Sequence, residues 1–186
     1  QKSLAKCPIP MPQLSEQDDI VGTIRRFDTY IDDLAELIEK KRGIRDGALE
    51  DMSSVSIRLQ GFTADWVVYP FSKYFSLLPN NTGSRDQLSD RGQVGDIHYG
   101  DVLIKYGDVL SDADEIPRLK DVLRIKERSF LKMHDVLIAD TAEDETVGKA
   151  VQVGKVSIPL VGGLHTVACR PNYETAEGFL GYYLNS

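Results

Sequence analysis

The sequence predicts an α+β protein: a long coiled-coil-type helix followed by a mixed α/β domain with a twisted sheet and long loops. Three observations predict it. An apolar seam runs from Ile20 to Ile38 with a period of 3.5 residues, the spacing of a helix that winds against a partner. Past Ile57 the texture changes to short β-type runs separated by Gly and Asn/Asp turn clusters. Helical and strand patterns do not alternate regularly, which sets aside a doubly wound fold.

Residues 1–14 read as extended, because Pro8, Pro10 and Pro12 fix φ and remove donors. Ser15 reads as an N-cap, with Glu16 and Asp18 suited to the positive end of the helix dipole. The helix is expected to run to about Met52. Its pairing seam is Ile20, Ile24, Phe27, Ile31, Leu34 and Ile38, and mostly charged residues fill the gaps. Some 35 residues make a rod of roughly 50 Å. Gly43 and Gly47 weaken its second half by about 1 kcal/mol each relative to Ala. A seam this narrow on a rod this long cannot bury itself, so a partner helix is expected, the other reading being that it lies along its own domain. Ser53 and Ser54 break the pattern, which divides the chain into residues 1–56 and residues 57–186. In the second part strands are expected at 67–69, 102–106, 136–139, 150–153 and 165–168, and a short amphipathic helix at 174–184.

The 186 residues suffice for one cored domain with an appendage. No apolar run approaches the roughly 18–20 residues of a membrane span, and no secretory signal opens the chain. Cys7 and Cys169 form no CxxC pair, so free thiols and a cytoplasmic setting are expected. The chain does not open on Met and stops inside a helical pattern, so it is expected to be a piece of a longer protein. The net charge of −7 argues against a nucleic-acid partner on average. The charge is segregated, however. Acidic residues crowd 16–51 and 140–145, whereas six basic and two acidic residues lie between Arg118 and Lys132. Binding depends on the local field rather than the average.

No motif carries enzyme chemistry. His98, His134 and His165 stand outside HxxxH, HExxH and HxH spacing, there is no GxSxG elbow, and each lone His reads as structural. The acidic run 140–145 lacks the order of a calcium loop and reads as a solvated turn. Phosphate-binding and dinucleotide fingerprints are absent, so no catalytic residue, metal or cofactor is expected. What remains suits a nucleic-acid surface. In 118–132 the basic residues fall at even positions. Arg124, Lys126 and Arg128 share a face if the run is a strand, and Lys120, Arg124, Arg128 and Lys132 share one if it is a helix. Cations on one face neutralise phosphates, Arg pairs with guanine edges, and Asn or Gln with adenine. A plain solvated face is the bland alternative. The DNA-contact expectation is Asn80, Asn81, Arg85, Lys105, Arg118, Arg124, Lys126 and Arg128, with Tyr106 against a sugar or thymine methyl.

Several phrases, read together, resemble a known family. Residues 9–17, IPMPQLSEQ, resemble the IPxPxLxEQ signature that opens a conserved region of type I restriction–modification specificity subunits, and the long helix follows it there too. Residues 57–66, IRLQGFTADW, resemble the RLPGFxxxW phrase that begins a target-recognition domain. His98-Tyr99-Gly100-Asp101, the run 135–144 with Gly148-Lys149-Ala150 after it, and residues 163–171 (GLHTVACRP) resemble three further elements of one subgroup. The phrases stand in family order and cover nearly the whole chain. Two departures are Leu103-Ile104, where the family has a His-Thr pair, and His134, where it often has glycine.

The resemblance implies a non-catalytic subunit in which paired conserved helices hold two recognition domains apart, each reading half of a split target. Its partners would be double-stranded DNA and the methyltransferase and restriction subunits, which carry the chemistry. Residues 1–56 would then be a spacer that docks methyltransferase subunits, and residues 57–186 a DNA-recognition domain. An unpaired seam predicts self-association through residues 15–52. Two rival readings are a coiled-coil interaction module without DNA binding and an enzyme built on one of the three histidines. The first predicts a protein partner and no salt-dependent DNA affinity, and the second a bound metal or loss of activity on a single His substitution.

Overall fold

A computed structural model describes residues 7–120 and 125–186. The chain divides into two units, Gln1–Ala48 and Leu49–Ser186. No helix among the described residues is long and apolar enough to cross a membrane.

The first helix, α1, spans Leu14–Ser53. It starts one residue before the expected cap, so Ser15 lies within the first turn. The amides of Glu16 and Gln17 bond the Gln13 carbonyl, and the Gln17 side-chain amide donates back to Pro12 O at 2.8 Å. The helix buries none of its residues. The seam stays open to solvent, from Leu34 at 42% exposure to Phe27 at 64%. Its ion pairs, Lys40–Glu36, Arg42–Glu39 and Arg45–Asp46, join highly exposed side chains and add little stability each.

The second unit contains two small sheets. Its elements are α2 (Phe71–Tyr74), β1 (Phe75–Leu78), β2 (Leu88–Ser89), β3 (Gly95–Ile97), α3 (Tyr99–Ile104), β4 (Val109–Leu110), β5 (Arg118–Leu119), β6 (Val136–Ala139), β7 (Ala150–Val153), β8 (Leu160–Gly162), β9 (Thr166–Pro171) and α4 (Phe179–Leu184). One sheet has the order β1-β9-β6-β7-β4 and the other β2-β5-β3-β8. The first and last strands are neighbours: β1 pairs antiparallel with β9, Phe75 opposite Pro171 and Leu78 opposite Ala168. Ile97, Val102, Leu110, Leu137, Val151 and Leu160 form the main core.

Strands 136–139 and 150–153 stand where the apolar runs predict, and 166–171 overlaps the expected 165–168. Three expectations are corrected. Residues 67–69 form no strand; Val68 is 91% exposed and pairs with no strand among the described residues, and Tyr69 instead stacks on Tyr173 at 4.6 Å. Residues 102–106 do not form a strand but lie in and just after α3. Asp101 accepts the His98 amide at 3.3 Å across the first turn, and Val102 and Tyr106, one helical turn apart, both enter the core. The last helix is shorter than expected, because Gly178 at φ +84° starts α4 only at Phe179.

A buried glutamine fixes α4 to the sheet. Gln152 on β7 accepts the amides of Leu180 and Gly181 at 3.1 and 3.4 Å through Oε1, satisfying donors that a helix start leaves without partners. Asn185 closes the other end, exchanging hydrogen bonds of 2.8 Å with both backbone groups of Ala150. The fit leaves no room at Gly181, where a Cβ would stand 1.9 Å from the Asp108 carbonyl oxygen. Gly181→Ala is therefore expected to destabilise the domain by about 1–3 kcal/mol, measured by urea unfolding. Gly100→Ala, whose new methyl would meet only the far end of the flexible Arg85 side chain, is the control and should lose much less.

Candidate nucleic-acid interface

Two stretches carry the predicted contacts: the loop after β1, and the run from β5 to β6. The loop is tied down by its own asparagines. Asn80 Nδ2 donates to the Thr166 carbonyl, and Asn81 Nδ2 donates to Asp96 Oδ2 at 2.5 Å. The Asn81 backbone amide bonds Gly162 O at 2.7 Å. Both side-chain amides thus face inward and hold the loop on β3 and β9 rather than presenting free edges. Thr82 and Gln87 remain exposed, the latter ending a single 3-10 turn, Arg85–Gln87.

Arg85 and Lys105 converge on one buried carboxylate. Arg85 Nη1 lies 3.6 Å and Lys105 Nζ 3.2 Å from Asp101 Oδ1, and both cations stay about half exposed while Asp101 is buried. Tyr106 is corrected outright. It is 3% exposed, its hydroxyl donates to Glu115 O at 3.3 Å, and burial beside Asp101, Asp114 and Glu115 drives its phenol far above the usual range. A ring packed in the core cannot meet a sugar or thymine methyl. Arg118 braces the small sheet, donating to Gly92 O at 3.1 Å from a partly buried position on β5.

The described part of the basic run forms neither the continuous strand nor the helix that its spacing allows. Arg124 lies outside the described residues. Lys126 and Arg128 are exposed on a single turn, Glu127–Ser129. With Glu127, Phe130, Lys132 and Arg170 they line an open groove of about 840 Å³. A neighbouring groove of about 740 Å³ lies between Asn81, Thr82, Gln87, Lys120 and Lys126, so Lys126 borders both.

Arg170 is not among the contacts the sequence predicts. It is held bidentately on Asp135, Nε to Oδ1 at 2.9 Å and Nη2 to Oδ2 at 2.6 Å, and Nη2 also donates to Phe130 O. This pairing raises the guanidinium pKa further, and burial together with the Asp135 charge pushes the adjacent Cys169 thiol up to about 11. Asp135 and Arg170 belong to two of the phrases singled out in the sequence, so those phrases hold the domain together here. The signal in the sequence is an Arg alternating with buried apolar residues on a strand, which calls for an inward partner.

Each histidine faces a different side chain. His98 is buried, with Nε2 3.6 Å from Asp96 Oδ2. His134 (φ +74°) has Nδ1 3.4 Å from the Gln152 amide, and the exposed His165 (φ +57°) lies 3.4 Å from Asp140. The acidic turn is closed by Thr146, whose amide donates to Asp144 Oδ1 at 2.9 Å. Among the described residues no group of three or more His, Cys, Asp or Glu could hold a metal ion.

The fold is thus an α+β domain accompanied by a long helix without a described partner. The chain matches no protein-family model and no curated protein. Among solved structures it is similar to the HsdS subunit from Thermoanaerobacter tengcongensis, at 18% identity and a TM-score of 0.49, over 95% of this chain and 42% of that one. It is also similar to a chain from a structure on complex assembly and conformational transition of the type I R-M system, at 17% identity and a TM-score of 0.46, over 95% of this chain and 42% of that one. The chain spans less than half the length of either.

Proposed function

We propose that this chain reads one half of a bipartite DNA target as part of the specificity subunit of a type I restriction–modification complex, without catalysing a reaction itself. The observation that carries the reading is the basic groove. In a chain of net charge −7, Lys126, Arg128 and Lys132 outnumber the single acidic lining residue Glu127 on one face of the second unit, with Arg170 paired to Asp135 there, beside the polar loop at 80–87. Cations of this kind supply phosphate affinity and register, and loop side chains supply sequence. Residues 57–186 are the reader in this proposal. Residues 1–56 are the spacer that docks methyltransferase subunits, and the restriction subunit joins the assembled complex.

The test is a domain exchange. Residues 57–186 replace one recognition domain of an active type I specificity subunit, which is expressed with its methyltransferase, and methylated sites are sequenced. A change in one half of the split motif, with the other half kept, supports the reading. An unchanged motif with methylation intact rejects it. The open seam adds an expectation of self-association through residues 15–52. Sedimentation of the full chain should show concentration-dependent mass, and Ile24→Glu should shift it to monomer by placing a charge in the seam. A wild-type chain that stays monomeric at high concentration rules this out.

A further inference from the structure

The root of the 79–87 loop rests on a group of buried polar atoms that the groove itself does not explain. Asp96 on β3 is fully buried, and so, within 1%, is His98 directly after that strand. Asp96 Oδ2 takes the Asn81 amide at 2.5 Å and lies 3.6 Å from His98 Nε2. Asn80 Oδ1, Asp96 Oδ1 and His98 Nε2 are buried without a hydrogen-bond partner among the described residues. Gly163 is packed against the pair: a Cβ there would come within 2.3 Å of Asp96 Oδ1 and 2.2 Å of His98 Cδ2. A buried carboxylate kept at this cost in desolvation needs a compensating role.

Its short hydrogen bond to Asn81 Nδ2 reaches the loop. The Asn81 side chain and backbone join the loop to two different strands, Nδ2 to Asp96 on β3 and N–H to Gly162 on β8. Asn81 Oδ1 also accepts the Gly83 amide at 3.4 Å, so the same side chain orders the next turn. Thr82, inside that turn, and Gln87, beyond it, line the groove shared with Lys120 and Lys126, and neither side chain has a hydrogen-bond partner among the described residues. Gln87 has a bidentate edge suited to adenine.

We infer that Asn81 and Asp96 form a buried latch that sets the pose of the loop, and that Thr82 and Gln87 on its open edge discriminate bases. Asn81 is then a positioning residue and not a reader. This rests on the DNA-reading proposal for its second half only; the latch stands on the free protein. The experiment uses the full chain and two readouts: hydrogen exchange of backbone amides in 79–87, and the sequence preference and affinity of duplexes selected from a random pool. Asn81→Ala should speed exchange in the loop, weaken the preferred duplex by roughly tenfold and narrow its margin over other sequences, without creating a new base preference. Asp96→Asn alone, which keeps an oxygen acceptor facing Asn81, should retain most of the wild-type protection and affinity. Gln87→Ala should leave exchange as it is and relax one base position.

If Asn81→Ala alters one base position with exchange unchanged, Asn81 is a reader and the inference is overturned. Unchanged exchange and binding also overturn it, as does Gln87→Ala and Thr82→Ala leaving every position intact. Should Asn81→Ala fail to fold, Asn81→Ser is measured against the same outcomes. If the wild-type chain binds no duplex, the DNA-reading proposal falls along with the assignment of Thr82 and Gln87, while hydrogen exchange still decides the latch.

Discussion

Arg170→Ala is expected to destabilise the second unit by about 3 kcal/mol or more, the scale on which breaking a buried ion pair from one side acts. The asymmetry of the pair sets the direction. Arg170 keeps 29% of its side chain exposed, whereas Asp135 keeps 1%. Removing the Arg leaves a carboxylate out of reach of water, and it also takes the donor from Phe130 O. Asp135 further accepts the Lys132 amide at 2.7 Å, so the same carboxylate organises the turn that leads into β6. Arg170→Lys keeps the charge and loses the bidentate fork, and should fall between the wild type and Ala. Denaturant unfolding of the three proteins measures the series. A stable Arg170→Ala that no longer binds DNA would make Arg170 a ligand contact first and a brace second.

The second large effect concerns binding. Replacing Lys126, Arg128 and Lys132 together by Ala should leave stability within about 0.5 kcal/mol, because all three side chains reach the surface of the groove. It should flatten the dependence of DNA affinity on salt by roughly 0.9 in log–log slope for each phosphate no longer neutralised, so by about 2–3 if all three touch phosphate. Titration of a labelled duplex at several salt concentrations gives the slope. An unchanged slope removes this groove from the interface, whatever happens to affinity at a single salt concentration.

The long helix and the central strands are legible because each depends on one strong local pattern. The seam at Ile20–Ile38 needs only its spacing, and Val136, Leu137, Val151 and Val153 are apolar enough to be buried in any register. The α3 segment misleads because Val102 to Tyr106 is as apolar as a strand. The feature that decides it is Asp101 three residues after His98, a capping relation that outweighs β-propensity in so short a run. The site is less legible than the fold. The amides of Asn80 and Asn81 have a chemistry suited to bases, yet the same donors serve equally well to hold a loop on a sheet. Tyr106 stands beside the exposed Lys105 in sequence, but helical phase turns it to the core. Arg170, alone among apolar neighbours on a strand, calls for an inward partner, but local sequence does not say which, because Asp135 lies 35 positions away.

Because β1 and β9 are partners, the order in which the domain assembles is constrained. The bond from Ser76 to Asn172 spans 96 positions, and the Tyr69–Tyr173 stack closes the same seam. Contacts that distant form only after a large loss of chain entropy. The β6–β7 pair is local and its register is short, so it is the natural early structure. On the ribosome, Phe75 and Leu77 emerge long before the strand that flanks them, and β1 must wait as an unpaired edge until residues 166–171 arrive. Closure of the five-stranded sheet therefore has to follow synthesis of residues 166–171, and until then Phe75 and Leu77 lie on an edge without its partner.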